Sequence, residues 1–366
     1  LPASPIFSMA TPGPNGRWES PVSVTAPNWP VVALACGAIG FLGILLYTVV
    51  KFAPIVSRNF QRPPLFQPLR VGPLAGGEDV RFRADDGIEL HGSYFRARGL
   101  SRAGLVLFCP EFLGDRWSFQ PYAEPLLDAG FDVFAFDFRN HGDSESEPDY
   151  DPLPWVSDRE VLDLKAAIAT VLSRPDADPA GLALFGISRG GSTALRVAAD
   201  EPRVWAVITD GAFPTRGTLR VYMCRWAEVY IPWKLVARNI PMWVIDLVWW
   251  RSRHITQNRL NRHFPDVEQA VERLSPRPWL MIHGAKDNYI VPEIAEELFR
   301  HAREPKESWI VPGARHNRCR EVAPEEYPRR LLEFLAQYAP RSLAMALPDD
   351  QPEPADDREA AASPVA

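Results

Sequence analysis

"LFGISRGGST", residues 184–193, reads in three parts. An apolar run ends at Phe185, Gly186 and Gly190 bracket Ile187-Ser188-Arg189, and "ALRVAADE" continues in residues that favour helix. A strand that turns sharply into a helix needs positions without a Cβ beside the turn, and it holds the tip residue in strained dihedrals. Ser188 is then either a nucleophile at a strand end or a serine caught in a glycine-rich turn. The rest of the chain decides.

Apolar runs suited to a sheet covered on both faces recur at 104–109 ("GLVLFC"), 132–137 ("DVFAFD"), 181–186 ("GLALFG"), 204–210 ("VWAVITD"), 278–284 ("PWLMIHG") and 308–312 ("SWIVP"). Helical stretches near 118–129, 157–173, 190–201, 291–303 and 321–338 separate them. Before them, "DVRFRADDGIELHGSYF" alternates apolar and polar residues on both sides of Asp86-Gly87, which signals a hairpin. The pattern predicts an α/β domain over 78–340: a doubly wound, mostly parallel sheet opened by an antiparallel hairpin.

In an open parallel sheet the carboxyl ends of the strands border one crevice. Ser188 sits at such an end. Asp287 lies just beyond the strand 278–284, 99 residues after the serine, and His316 lies in the loop "GARHNR" after the last strand, 29 residues further. Strand, Gly-x-Ser-x-Gly and helix, followed by an acid and then a histidine, resemble the nucleophile elbow and triad order of the α/β-hydrolase superfamily. The resemblance covers roughly 78–340. It implies Ser188 as nucleophile, His316 as general base and then acid, and Asp287 as the group that orients the imidazole.

It also implies an oxyanion hole of two backbone N–H groups, from Arg189 and from the loop after residue 109. That loop reads "CPEFLGDRW", where a His-Gly pair is common in the family. Pro110 has no N–H. Aligning Pro110-Glu111 with the pair makes Phe112 the second donor, and Glu111 must then point away or pair with a cation such as Arg116 or Arg189. "FDFRNHGDS" (136–144) matches a further family motif, for which a structural role is expected: Asp137 and Arg139 tie the loop beneath the site, and His141 and Asp143 are not catalytic. Of the other histidines, His91 falls in the hairpin, His254 and His263 in the cap region, His301 at a helix end, and His283 is packed on its strand.

Residues 211–277 are too many for a plain crossover, and family members place a lid here. The stretch 213–266 holds five of the twelve tryptophans and nine Lys/Arg against three Asp/Glu. Two readings stand: a cap whose aromatics pack inward over the pocket, or a basic, Trp-rich surface resting on an anionic leaflet.

The 366 residues carry a net charge of −6, and no basic face suggests a nucleic-acid partner. Residues 1–30 contain seven prolines and no apolar period, and 341–366 carry −4 of the charge; both are expected to be disordered. Residues 31–50 contain no charged residue, enough to span roughly 30 Å of hydrocarbon, with Trp29 and Tyr47 near the ends and Lys51 closing the run. The expectation is a single transmembrane anchor at 31–51, then a Pro-rich spacer at 52–77. The excess of Lys51, Arg58, Arg62 and Arg70 over Arg17 directs the larger part to the cytoplasm. The chain opens with Leu1, and Met9 is a candidate start.

The four cysteines show neither a disulfide pattern nor metal spacing, and no dinucleotide fingerprint occurs, so no cofactor or metal is expected. The reading is a membrane-anchored serine hydrolase of an ester, thioester or related acyl bond, its partner a small acyl substrate of lipid origin or otherwise. Two alternatives stay open: a non-catalytic binding or scaffold protein on the same fold, and a serine aminopeptidase-like amide hydrolase.

Overall fold

The computed structural model describes residues 28–63, 67–99 and 101–340. Of the ends expected to be disordered, 1–30 and 341–366, residues 1–27 and 341–366 lie outside the described residues, whereas Trp29 and Pro30 are helical. The chain divides into two units, residues 1–51 and 52–366.

Helix α1 (Trp29–Phe60) begins in the first unit and ends in the second. Among the described residues it is the one helix long and apolar enough to cross a membrane, with a mean hydropathy of 2.2 over its most apolar window and none of that window buried.

The second unit is built on one eight-stranded sheet. Its elements are β1 (Glu78–Arg83), β2 (Glu89–Phe95), β3 (Gly104–Cys109), α2 (Gln120–Asp128), β4 (Phe131–Phe136), α3 (Asp158–Leu172), β5 (Leu182–Ile187), α4 (Arg189–Ala198) and β6 (Val204–Asp210). There follow α5 (Thr215–Tyr230), α6 (Lys234–Arg238), α7 (Met242–Leu260), α8 (Val267–Glu272), β7 (Trp279–Gly284), α9 (Pro292–His301), β8 (Lys306–Val311), α10 (Cys319–Val322) and α11 (Glu326–Tyr338). The strand order is β1-β2-β4-β3-β5-β6-β7-β8, with β1 and β2 antiparallel and the remaining six parallel. This is the fold class expected from the sequence.

Every residue of β3, β4, β5 and β7 is buried, as a sheet with helices on both faces requires. Successive side chains point to opposite faces. Leu105 and Leu107 accordingly join the core shared with Leu164 of α3 and Leu195 of α4. Val106 and Phe108 join the opposite core, with Leu126 of α2 and Leu331 of α11. The hairpin turns at Gly87, whose φ of +92° suits a residue without a Cβ.

Two further boundaries differ from expectation. The spacer predicted from residue 52 is helical as far as Phe60, with Pro54 inside the helix. Ala53, Val56, Ser57 and Phe60, spaced as one helical face, are buried, while Pro54 lies on the exposed side. Phe60 stacks on Trp155 with ring centroids 5.1 Å apart, Trp155 Nε1 donates to the Phe60 carbonyl at 2.9 Å, and the Ser57 and Thr256 hydroxyls meet at 2.8 Å. An interior proline costs about 3 kcal/mol. Burying one Phe contributes about 1.5–3 kcal/mol, so Phe60 together with Val56, Ala53 and two hydrogen bonds outweighs it. The second difference is the helix predicted over 321–338, which is split into α10 and α11. Pro324 disfavours helical geometry at Ala323, whose φ and ψ are −124° and 62°.

Candidate active site

β5 ends at Ile187 and α4 starts at Arg189, so Ser188 alone makes the turn. Its φ of +51° and ψ of −118° are a strained combination for a residue with a side chain. Close packing enforces it. A Cβ on Gly186 would lie 2.6 Å from the Gly190 carbonyl carbon, and one on Gly190 would collide with the Cys109 carbonyl of β3. The Ser188 N–H donates to the Asp210 carbonyl at 2.8 Å, which fixes the turn to the end of β6.

Asp287 follows β7 and His316 follows β8, and the adjacency of those strands brings both to the same sheet edge as Ser188. Ser188 Oγ lies 2.8 Å from His316 Nε2, and His316 Nδ1 lies 2.5 Å from Asp287 Oδ2. That pairing assigns the proton to Nδ1 and leaves Nε2 to accept from the serine hydroxyl. The other oxygen of Asp287 accepts from the backbone N–H groups of Tyr289 and Ile290, each at 2.9 Å. The carboxylate is thus held in a turn before α9, whose own N-cap is Val291. His283 is fully buried; its Nε2 donates to the Ile290 carbonyl at 2.8 Å, and burial lowers its pKa.

As first residue of α4, Arg189 has an N–H with no carbonyl four residues back in the helix. Its side chain is fully buried beneath the turn, donating from Nη1 to the Leu153 carbonyl at 3.0 Å and to Glu160 at 3.3 Å, and from Nη2 to His141 Nε2 at 3.1 Å. Burial, then the Arg189 charge, pushes the His141 pKa down to about 4, so the ring stays a neutral acceptor. Its Nδ1 faces the Arg139 carbonyl at 2.7 Å. Asp137 accepts from the Arg116 and Asp143 N–H groups at 2.6 and 2.9 Å and pairs with the Arg116 guanidinium. Arg139 is buried against Asp163, Asp86 and Glu147. The "FDFRNHGDS" residues therefore form the support under the turn.

Phe112 borders the same cavity as Ser188. Glu111 points away from the serine and meets neither of the expected cations. It accepts from the Leu69 N–H at 3.0 Å and the Ser118 hydroxyl at 3.3 Å, and burial raises its pKa. Arg116 is taken by Asp137 and Asp143, and Arg189 by Glu160. Leu113, next in the loop, has φ +60°, a second strained position beside the site.

The cavity at Ser188 and His316 measures about 130 Å³, close to the roughly 150 Å³ that accepts a benzene-sized group. Trp155, Phe213, Tyr222, Trp226 and Tyr289 make it aromatic, and Asn59 and Arg62 contribute its polar rim. The last two were missed in the sequence. They lie in the stretch read as spacer, and the helical spacing of Ala53, Val56 and Phe60 was the signal that could have found them. A second cavity of about 80 Å³ shares His316 but not Ser188, and is lined by polar groups including Gln67, Glu111, Asn317 and Arg320.

The stretch 213–266 comprises α5, α6 and α7. Its tryptophans divide between two directions. Trp249 is buried and Trp226 lines the cavity, while Trp233, Trp243 and Trp250 are exposed.

A family model for the alpha/beta hydrolase fold matches residues 104–271. An uncharacterized protein of Mycobacterium tuberculosis is 28% identical over 244 residues, covering 67% of this chain and 74% of that protein. The uncharacterized protein YfhR of Escherichia coli is 27% identical over 281 residues, covering 75% of this chain and 86% of that protein. The solved structure of the Pyrococcus furiosus esterase Pf2001 superimposes with a TM-score of 0.56 at 23% identity, over 75% of this chain and 96% of its own. The strand order, the elbow at Ser188 and these similarities converge on the α/β-hydrolase fold and support the α/β-hydrolase superfamily.

Proposed function

We propose that the chain is a serine hydrolase, anchored in a membrane by residues 31–51, that cleaves an ester, thioester or related acyl bond through an acyl-enzyme. One observation carries this reading: the unbroken relay Ser188 Oγ–His316 Nε2–Asp287 Oδ2, opening on an aromatic cavity. In the first step Ser188 Oγ attacks the substrate carbonyl carbon while its proton passes to His316 Nε2. Asp287 keeps the imidazole in the right tautomer and stabilises the imidazolium. The carbonyl oxygen becomes an oxyanion facing the Arg189 and Phe112 N–H groups. When the intermediate collapses, the bond to the leaving group breaks and His316 returns its proton to that group. Water then repeats the sequence on the acyl-enzyme, releasing the acid and restoring Ser188.

The aromatic lining favours an apolar acyl group over a peptide with a charged side chain. The Pyrococcus furiosus neighbour is named an esterase, which agrees with acyl chemistry. The charge-free run 31–50 supports the anchor, and the flanking Lys51, Arg58, Arg62 and Arg70 support a cytoplasmic hydrolase domain. Turnover of p-nitrophenyl esters, acyl thioesters and aminoacyl anilides by the wild type and by Ser188→Ala tests the reading. It expects ester or thioester turnover that disappears in the variant. A folded wild type inert on all three classes would favour a binding or scaffold protein, and anilide turnover alone would favour the amide hydrolase.

A further inference from the structure

Ten large apolar side chains outside α1 are exposed among the described residues, and eight of them fall between residues 229 and 250. The most exposed are Leu235 (79%), Val229 (78%) and Trp233 (74%), accompanied by Trp243 and Trp250 at half or more. They sit at the end of α5, along α6 and in α7, and α5 packs against both of the others. So many large apolar side chains exposed on neighbouring elements mark an interaction surface.

The charges on these helices narrow what that partner is. Both acids are already matched: Glu228 faces Arg238 at 3.4 Å, and Asp246 is held by Arg216 and Arg220. Arg225, Lys234 and Arg251 have no ion-pair partner among the described residues. What remains outward is tryptophan, tyrosine and aliphatic groups interleaved with unpaired cations. That mixture suits the headgroup boundary of a bilayer, where indole rings settle between water and hydrocarbon and Lys and Arg meet anionic lipid.

We propose that the face formed by residues 229–250 is a docking surface for a bilayer containing anionic lipid. The choice of a membrane over a protein rests on the anchor reading above, in which the charge-free run 31–50 holds the chain at a bilayer. The surface also adjoins the reaction. Tyr222 and Trp226 of α5 line the cavity at Ser188, and exposed Tyr230 follows Trp226 by four residues on the same helix, about 6 Å along its axis. One helix thus has a bilayer-facing end and a substrate-facing wall.

The test uses the full chain in nanodiscs, with and without anionic lipid, comparing the wild type with the triple variant Trp233→Phe, Trp243→Phe, Trp250→Phe. The fluorescence lost in the variant belongs to those three rings. The proposal expects brominated acyl chains to quench that component in anionic discs while aqueous iodide does not. It expects Lys234→Glu with Arg251→Glu to reverse the preference. Quenching by iodide alone would show rings facing water, and shielding from both quenchers would show a second protein copy over them; either result overturns the docking surface. Co-elution with the discs reads the anchor separately: a chain that co-elutes with water-facing rings keeps its anchor and loses this surface, whereas failure to co-elute removes both. Fluorophosphonate labelling of the triple variant at the wild-type level keeps the hydrolase reading apart from either outcome.

Discussion

Ser188 is held at φ +51° because Gly186 and Gly190 let the turn close against β3, and the strain is compensated by close packing on every side. At this scale Asp287 is the partner whose role separates geometry from chemistry. Asp287→Asn preserves shape but favours the wrong histidine tautomer, so kcat on a p-nitrophenyl ester is expected to fall about 10⁴-fold with the fold intact by circular dichroism. Asp210 yields a pH prediction. Burial pushes its carboxyl up to about 6 from the ordinary 3.8. A folded value above the unfolded one means a stabilising contribution that is whole below pH 3.8 and is lost as pH rises through 6. A difference of roughly two units corresponds to about 3 kcal/mol, so Asp210→Asn is expected to exceed the wild type in stability by up to that amount at pH 8, with the gap closing by pH 4. Urea unfolding at both pH values measures it. The three candidate catalytic residues were legible in the sequence because chain order and strand ends constrain them. The escape of Glu111 toward Leu69 and Ser118 was not, since its partners come from a distant proline-rich segment and a neighbouring turn.

At the scale of elements, the parallel strands announced themselves as continuous apolar runs, and the hairpin as alternation around Gly87. The end of α1 did not. Its prolines suggested an extended spacer, whereas four buried residues at helical spacing settle the segment against Trp155, Trp249 and Phe264. Tertiary burial overruled local composition. Phe60→Ala is therefore expected to cost about 3–5 kcal/mol in denaturant unfolding, with Phe60→Leu recovering part of it. A chain shortened to begin at residue 52 keeps this contact and should hold a midpoint near that of the full chain. One beginning at residue 63 should unfold at clearly lower denaturant, and an unchanged midpoint would show that the segment adds nothing to the fold.

The molecule as a whole combines a candidate membrane span, a sheet that sets three distant side chains at one edge, and a helical stretch between β6 and α8 whose aromatic groups face both the cavity and the outside. Sequence composition identified that stretch as basic and Trp-rich, but could not say which tryptophans turn inward. That depends on how α5, α6 and α7 lie on one another. The small cavity predicts a preference: in detergent solution, kcat/KM for p-nitrophenyl esters should be higher for acyl groups of about four to six carbons than for palmitoyl. Whether Ser188 is the nucleophile is decided by intact and peptide mass spectrometry after treatment with a fluorophosphonate. A nucleophilic Ser188 gives a single adduct on the peptide containing it, absent in Ser188→Ala and strongly slowed in His316→Ala. A folded wild type that takes up no label, or that is labelled equally in Ser188→Ala, would contradict that role.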